Sequence, residues 1–278
     1  MSSKQNGPFD PPLPEVATGK LEAVDQLLVD GPEAQAFLQR QCTSDLRVLD
    51  VDGAAQWSAL LSAKGRVLFL FRLLRQAADR FLLIAPGALR GELEAELRRY
   101  VFRSKLVLRS PKEPLAVALS PESPASAQAW DADRWILPGS IPDEGAAALD
   151  ADWQHLDTLR GIPRIDVALR DRFTPHMLSL QRLQAFSLKK GCYPGQEIVA
   201  RTHYLGQQKR ELLRLVGDRP LAVGEALKLD GRAAGEVIQI SPRDPRRALA
   251  VASQAGDAAS FTLEDAGAAR RLPAEDRD

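Results

Sequence analysis

Residues 189–201 read KKGCYPGQEIVAR and hold Cys192, one of two cysteines in a chain of 278 residues. Lys189 and Lys190 stand just before the thiol. Tyr193-Pro194-Gly195-Gln196 has the side chains of a type II turn, because Pro sets φ at the second position and Gly accepts a positive φ at the third. Gln196 and Glu197 then start a short helix, so Cys192 lies a few residues ahead of a helix N-terminus. Positive charge and helix amides both favour a thiolate over a thiol. A thiolate attacks electrophiles, binds soft metals and reacts with oxidants. Cysteine is also a common small buried residue, and both lysines could point to water. The pattern alone leaves both readings open.

Other residues offer weaker chemistry. Glu197 and Arg201 sit four apart and form an ordinary helix-surface pair, while Arg201 could instead hold a carboxylate or phosphate bidentately. Gln41, Thr43 and Asp45 in QRQCTSDL could line a polar pocket, but Thr-Ser-Asp is also common turn and cap chemistry. Lys64 and Gly65 fall at a turn between two apolar runs. Of the four tryptophans, Trp57 is the best placed to stack a flat heterocycle, though most tryptophans pack. A zinc site would have to combine Cys42, Cys192, His155, His176 and His203, which lack close metal-ligand pairing, so no stably bound metal is expected. There is no nucleophile elbow, Walker loop or dinucleotide fingerprint.

The elements that must position these residues follow from periodicity. VDGPEAQAFLQRQ (29–41) reads as a helix, with Asp30 and Glu33 at capping-box spacing. Runs at 54–62, 66–74 and 79–85 are short enough for strands. Residues 86–101 form an amphipathic helix pattern with Leu89, Leu93 and Leu97 four apart, and 104–109 returns as a strand. This is an α+β unit with a largely antiparallel sheet. Residues 110–150 are loop-rich with short strands at LAVAL and RWILPG. DWQHLDTLRGIP is a helix stopped by Gly161 and Pro163. TPHMLSLQRLQAF (174–186) has Met177, Leu180 and Leu183 at helical spacing. From about 208, strand candidates spaced about 10 residues apart indicate a small β-barrel or sandwich.

Lys plus Arg equals Asp plus Glu at 37 each. A phosphate-backbone binder usually carries a basic excess, so direct nucleic-acid binding is not expected. No run reaches the ~18 apolar residues of a membrane helix. The Pro-rich N-terminus lacks a signal-peptide core and reads as a flexible arm. Two distant cysteines are no disulfide framework, and the chain reads as cytoplasmic.

Together these stretches resemble a known pattern. KKGCYPGQEIVAR is similar to the K-G-C-Y-x-G-Q-E signature of YgfZ-type folate-binding proteins, relatives of the glycine cleavage system aminomethyltransferase. GPEAQAFLQRQCTSD, SAKGRV, RGIPRID and FTPHMLSLQRL resemble further family blocks, and the likeness runs from about residue 20 to 255. It implies a three-module cloverleaf around a central channel, with a ferredoxin-like unit and a C-terminal β-barrel. The expected divisions are a flexible arm at 1–17, a discontinuous folate-binding domain at 18–50 plus 111–207, the ferredoxin-like domain at 51–110, and the barrel and tail at 208–278. It also implies tetrahydrofolate or a derivative as ligand, iron–sulfur proteins or their assembly factors as partners, and an indirect effect on tRNA modification. Cys192 would be the functional thiol at the channel mouth, with Lys190 nearby. Lys190 or Arg201 would meet the anionic tail, and Gln41, Thr43, Asp45, Trp57, Lys64, Tyr193, Gln196 and Glu197 would be the other folate-site candidates. The chain departs from transferases at PGAL and Leu159, which lack the expected polar groups, and from many family members at Ser179, where they carry Asn. The resemblance therefore leans away from an enzyme. A folate-dependent one-carbon transferase and an interaction module with a vestigial folate site are the alternatives.

Overall fold

The computed structural model describes residues 16–140, 147–206, 209–254, 259–263, 265 and 267–273. The expected N-terminal arm, apart from its last two residues, and the polar tail beyond Pro273 lie outside them. β1 (Ala17–Leu21) and β2 (Val24–Asp30) come first, then α1 (Ala34–Gln41), β3 (Ala55–Leu61), β4 (Val67–Ala77), β5 (Arg80–Pro86), α2 (Glu92–Arg98) and β6 (Val107–Arg109). β7 (Leu115–Leu119), β8 (Gln128–Ala129), β9 (Arg134–Ile136), β10 (Ala147–Ala148) and α3 (Asp150–Leu159) follow. α4 (Gln196–Leu205) precedes β11 (Arg210–Gly217), β12 (Ala226–Leu229), β13 (Arg232–Ile240), β14 (Arg247–Ser253), β15 (Ser260–Thr262) and β16 (Ala268–Arg271).

The strands form an α+β arrangement of three sheets. One has the order β10-β1-β7-β9-β8, a second β3-β4-β5-β2-β6, and the third is a closed barrel, β11-β14-β13-β12-β15-β16. Closure removes exposed sheet edges, which a small barrel of short strands requires. β2 pairs with β5 and β6, so residues 24–30 share a sheet with 55–109, across the boundary expected at residue 50.

Both faces of the second sheet are covered, and β5 shows how. Phe81, Leu83 and Ala85 enter a core with α1 and α2, whereas Leu82 and Ile84 enter the core shared with the first sheet and α3. This is the two-residue alternation of a strand, here apolar on both faces. Each of the larger four, Phe81, Leu82, Leu83 and Ile84, contributes roughly 1.5–3 kcal/mol by leaving water.

Three helix readings change. The helix expected from residue 29 starts at Ala34, because residues 24–30 are strand; Asp30 pairs with Arg80 at 2.7 Å instead of capping. The helix expected over 86–101 shrinks to α2, because Gly87 and Gly91 take positive φ, and Leu89 is left exposed. Residues 174–186 form turns around a single 3₁₀ turn, Leu180–Leu183, because Ser179 and Gln184 on either side take left-handed conformations. Leu180 and Leu183 are still buried, so the apolar spacing recorded burial and not helix.

Candidate functional site

The cysteine turn forms as its residues dictate. The Gln196 amide donates to the Tyr193 carbonyl at 3.2 Å, and Gly195 holds φ 75° and ψ 0°, the third-position geometry of a type II turn. Gly195 is also the cap of α4. A Cβ on it would lie 2.6 Å from the Ser62 carbonyl oxygen and 2.7 Å from Gly65 Cα. Gly65, at φ 68°, would in turn drive a Cβ to 2.8 Å from Ile198 Cβ. Two glycines thus let the Lys64-Gly65 turn between β3 and β4 seat against the start of α4, which places Lys64 beside the cysteine motif. Cys192 is exposed just before this junction.

Lys190 does not face water. It is buried, and its Nζ donates to the carbonyls of Cys42 and Ser44 at 2.5 and 2.9 Å. It also lies 5.3 Å from the Tyr193 ring centre. Burial pulls its pKa below the ordinary lysine value. The ammonium thus ties the cysteine segment to the end of α1, a structural cation 148 residues from its partner carbonyl. Burial also raises the Cys42 thiol to about 12 and the Tyr193 phenol to about 12, so Cys42 carries no thiolate chemistry near neutral pH.

Thr43 joins the same knot. Its amide donates to the Ala59 carbonyl at 3.0 Å and its hydroxyl accepts from the Ala59 amide at 2.8 Å. The hydroxyl donates to the Ala185 carbonyl at 2.6 Å, and the Ser187 amide donates to the Thr43 carbonyl at 2.8 Å. The 42–45 segment therefore covers the free edge of β3 and fastens it to the stretch of chain leading to Cys192. Asp45 caps the turn at Leu46–Val48, and its hydrogen bonds with Arg47 hold its carboxyl well below the usual range. Gln41 ends α1 half-exposed. Glu197 and Arg201 are exposed on α4, with no ion pair between them among the described residues.

A cavity of about 930 Å³ lies elsewhere, where β3 and β4, the Trp130–Ala132 loop, the end of α3, the 179–184 turns and the barrel meet. Of the residues singled out as folate-site candidates, Trp57 alone lines it. The next residue on β3, Ser58, points to the Thr43 knot, its hydroxyl accepting from the Ser44 amide at 3.1 Å, so the pleat sends Trp57 the other way. Trp57 meets Trp130 edge to face at 5.2 Å, and Trp130 meets Trp153 at 5.4 Å. Five arginines (Arg72, Arg160, Arg182, Arg214, Arg271) and two carboxylates (Asp131, Glu211) line the space, which leaves it cationic. Arg72 lies over the Trp57 ring at 5.8 Å.

The walls are braced from behind. Arg134, fully buried, pairs with Asp131 at 2.6 Å and Asp157 at 2.7 Å, and lies 4.9 Å from the Trp153 ring centre. Arg182 donates to the Arg160 carbonyl at 2.9 Å, and Arg214 to the Leu159 carbonyl at 2.6 Å. Ser179 accepts from the Leu212 amide at 3.1 Å and so pins the barrel to the cavity wall. The arginines come from separate elements: Arg160 and Arg182 stand in the RGIPRID and FTPHMLSLQRL stretches, whereas Arg72, Arg214 and Arg271 lie on β4, β11 and β16 with no motif to mark them. Among the described residues, no three His, Cys, Asp or Glu side chains converge as a metal site, and no helix is long and apolar enough to cross a membrane.

No family model matches the chain. Two curated relatives, each described as tRNA-modifying protein YgfZ, come from Vibrio vulnificus strains CMCP6 and YJ016. They are 29% and 30% identical over 292 aligned positions, covering 87% of this chain and 90% of theirs. Among solved structures, glycine cleavage system aminomethyltransferase T from Bartonella henselae superposes with a TM-score of 0.75 over 93% of this chain and 85% of its own, at 17% identity. The fold is therefore aminomethyltransferase-like.

Proposed function

The chain belongs to the YgfZ family, and from that premise we propose that it is a reduced-folate-binding accessory protein that supports assembly or repair of iron–sulfur proteins. The tRNA modification for which its relatives are named is then an indirect effect, passing through an iron–sulfur enzyme. The free thiols of Cys42 and Cys192 suit a reducing cytoplasm.

The observation that carries this reading is the arginine- and tryptophan-lined cavity. Its volume falls within the roughly 300–1,000 Å³ of small-molecule sites. Tetrahydrofolate joins a flat, hydrogen-bonding pterin to a carboxylate tail. The cavity supplies aromatic wall and cationic donors for both parts. In this proposal Trp57 and Trp130 border the ring, and Arg182, Arg214 and Arg271 attract the tail.

Cys192 is the residue that reaches a partner. It is exposed, and its turn is fixed by Gly195 and by the Lys190 anchor beneath it. Lys190 in this reading positions the thiol segment. A [4Fe–4S] cluster takes four thiolates, so the cluster belongs to the protein served. Calorimetric titration with 5-formyltetrahydrofolate tests the ligand; stoichiometric binding is expected, and absence of binding would remove the folate reading. In a deletion strain, Cys192→Ser is expected to leave iron–sulfur enzyme activity impaired. Full restoration by that variant would sink the role of the sulfur.

A further inference from the structure

We propose that the Phe102 turn and the outward face of β6 form a binding strip for single-stranded nucleic acid, apart from the folate cavity. Phe102 is 89% exposed, more than any other large apolar side chain among the described residues. Its backbone holds φ 43°, in a turn closed by the Ser104 amide on the Val101 carbonyl at 2.8 Å. That left-handed position suits glycine; a phenylalanine there suffers steric cost and buries nothing. The turn is nonetheless firmly seated. Glu33 Oε2 accepts from the Lys105 amide at 3.0 Å. Beneath it, Gly31 approaches so closely that a Cβ would sit 2.6 Å from the Lys105 carbonyl oxygen. The ring is held out into solvent on a rigid support.

The flanking chain is cationic. No acidic residue occurs between Leu97 and Arg109, while Arg98, Arg99, Arg103, Lys105 and Arg109 do. Arg103, Lys105, Val107 and Arg109 are exposed, whereas Leu106 is half-buried and Leu108 buried. Arg103 lies in the turn and Lys105 in the bend before β6, while Arg109 ends β6, so three exposed cations fall within seven consecutive residues next to Phe102. β6 is the edge of its sheet, so no strand covers that side. Arg103, Lys105 and Arg109 form no ion pair among the described residues. The chain's zero net charge argued against a nucleic-acid partner, but it averages over this strip.

Clustered cations beside one presented aromatic ring match a strand whose phosphates meet charge and whose base stacks. A lipid surface would call for a broader apolar face than one ring and Val107. The test is fluorescence anisotropy of the full chain with a labelled oligouridine of about twelve nucleotides, within the usual site size. Wild type is expected to bind at low salt and weaken as salt rises. The combined R103E, K105E and R109E variant is expected to lose binding. Phe102→Ala is expected to weaken it about tenfold with the salt slope unchanged, and Phe102→Trp to retain it. Phe102→Gly removes the ring yet suits the backbone, so it should weaken binding about tenfold, like Phe102→Ala, without a lower Tm. No binding by wild type, wild-type binding by Phe102→Ala, or binding to phosphatidylserine vesicles with none to RNA would overturn the proposal. Titration with 5-formyltetrahydrofolate is expected to be the same for every strip variant.

Discussion

The cysteine turn and the arginine–tryptophan cavity are built by opposite means. The turn lies within thirteen consecutive residues, and its bend follows from their own conformational preferences. Pro194 and Gly195 set the bend, and close backbone contact with Gly65 finishes it. The cavity has no local code. Its walls come from β3, β4, the loop after β8, the end of α3, the 179–184 turns and the barrel. Its residues mean little until three layers meet. A surface thiol is defended by backbone fit, and a cavity by buried charge pairs and packing behind its walls.

The largest effect that would sharpen this contrast is at Arg134. Arg134→Met removes the buried cation between Asp131 and Asp157, leaving Asp131 to Arg160 at 2.7 Å and the buried Asp157 to Arg164 at 3.1 Å. Breaking a buried pair outright typically costs about 3–5 kcal/mol, and the remaining arginines place this loss at the lower end, about 3 kcal/mol. Urea denaturation should show that loss, with weakened folate binding; a loss below about 1 kcal/mol would mean the pair does not hold the wall. Next comes Gly195→Ala. The left-handed backbone and the 2.6 Å approach to the Ser62 carbonyl oxygen together predict about 2–4 kcal/mol. Folate affinity per folded molecule should hold, and a change in it would show the two regions to be coupled.

A smaller effect concerns pH. His176 is buried, and burial followed by the charge of His203 places its pKa below the ordinary 6.5. Below pH 6.5 the unfolded chain therefore binds the proton that the folded one refuses, and stability falls on acidification. His176→Phe should flatten that limb of a stability–pH curve; an unchanged limb would move the cause to other groups. The smallest effect is expected at Cys192→Ser. An exposed side chain on a turn fixed by its neighbours should change stability by no more than about 0.5 kcal/mol and leave folate titration unchanged. A large loss in either measurement would merge the two regions into one site.

Legibility followed the same division. Strands at 55–61, 67–77 and 80–86 and the barrel strands β11 to β15 announce themselves through apolar runs between turn residues, whereas β16, Ala-Ala-Arg-Arg, carries no such run. The segment 174–186 did not, because two non-glycine residues, Ser179 and Gln184, adopt left-handed conformations that apolar spacing does not encode. In the sequence Lys190 is a charge beside the thiol. Nothing local reveals that its side chain turns inward to carbonyls 146 and 148 residues away.

The sequence by itself determined the Pro194–Gly195 turn, the position of Cys192 before a helix, the strand-rich C-terminal module and the family likeness, since each rests on neighbouring residues. Tertiary structure alone decided that Cys42 is inert, that Lys190 is an anchor and that Trp57 faces a cavity with five arginines. The physical reason is range. Turn and strand preferences act over a few bonds, whereas burial, desolvation and charge pairing depend on which distant segments are packed together.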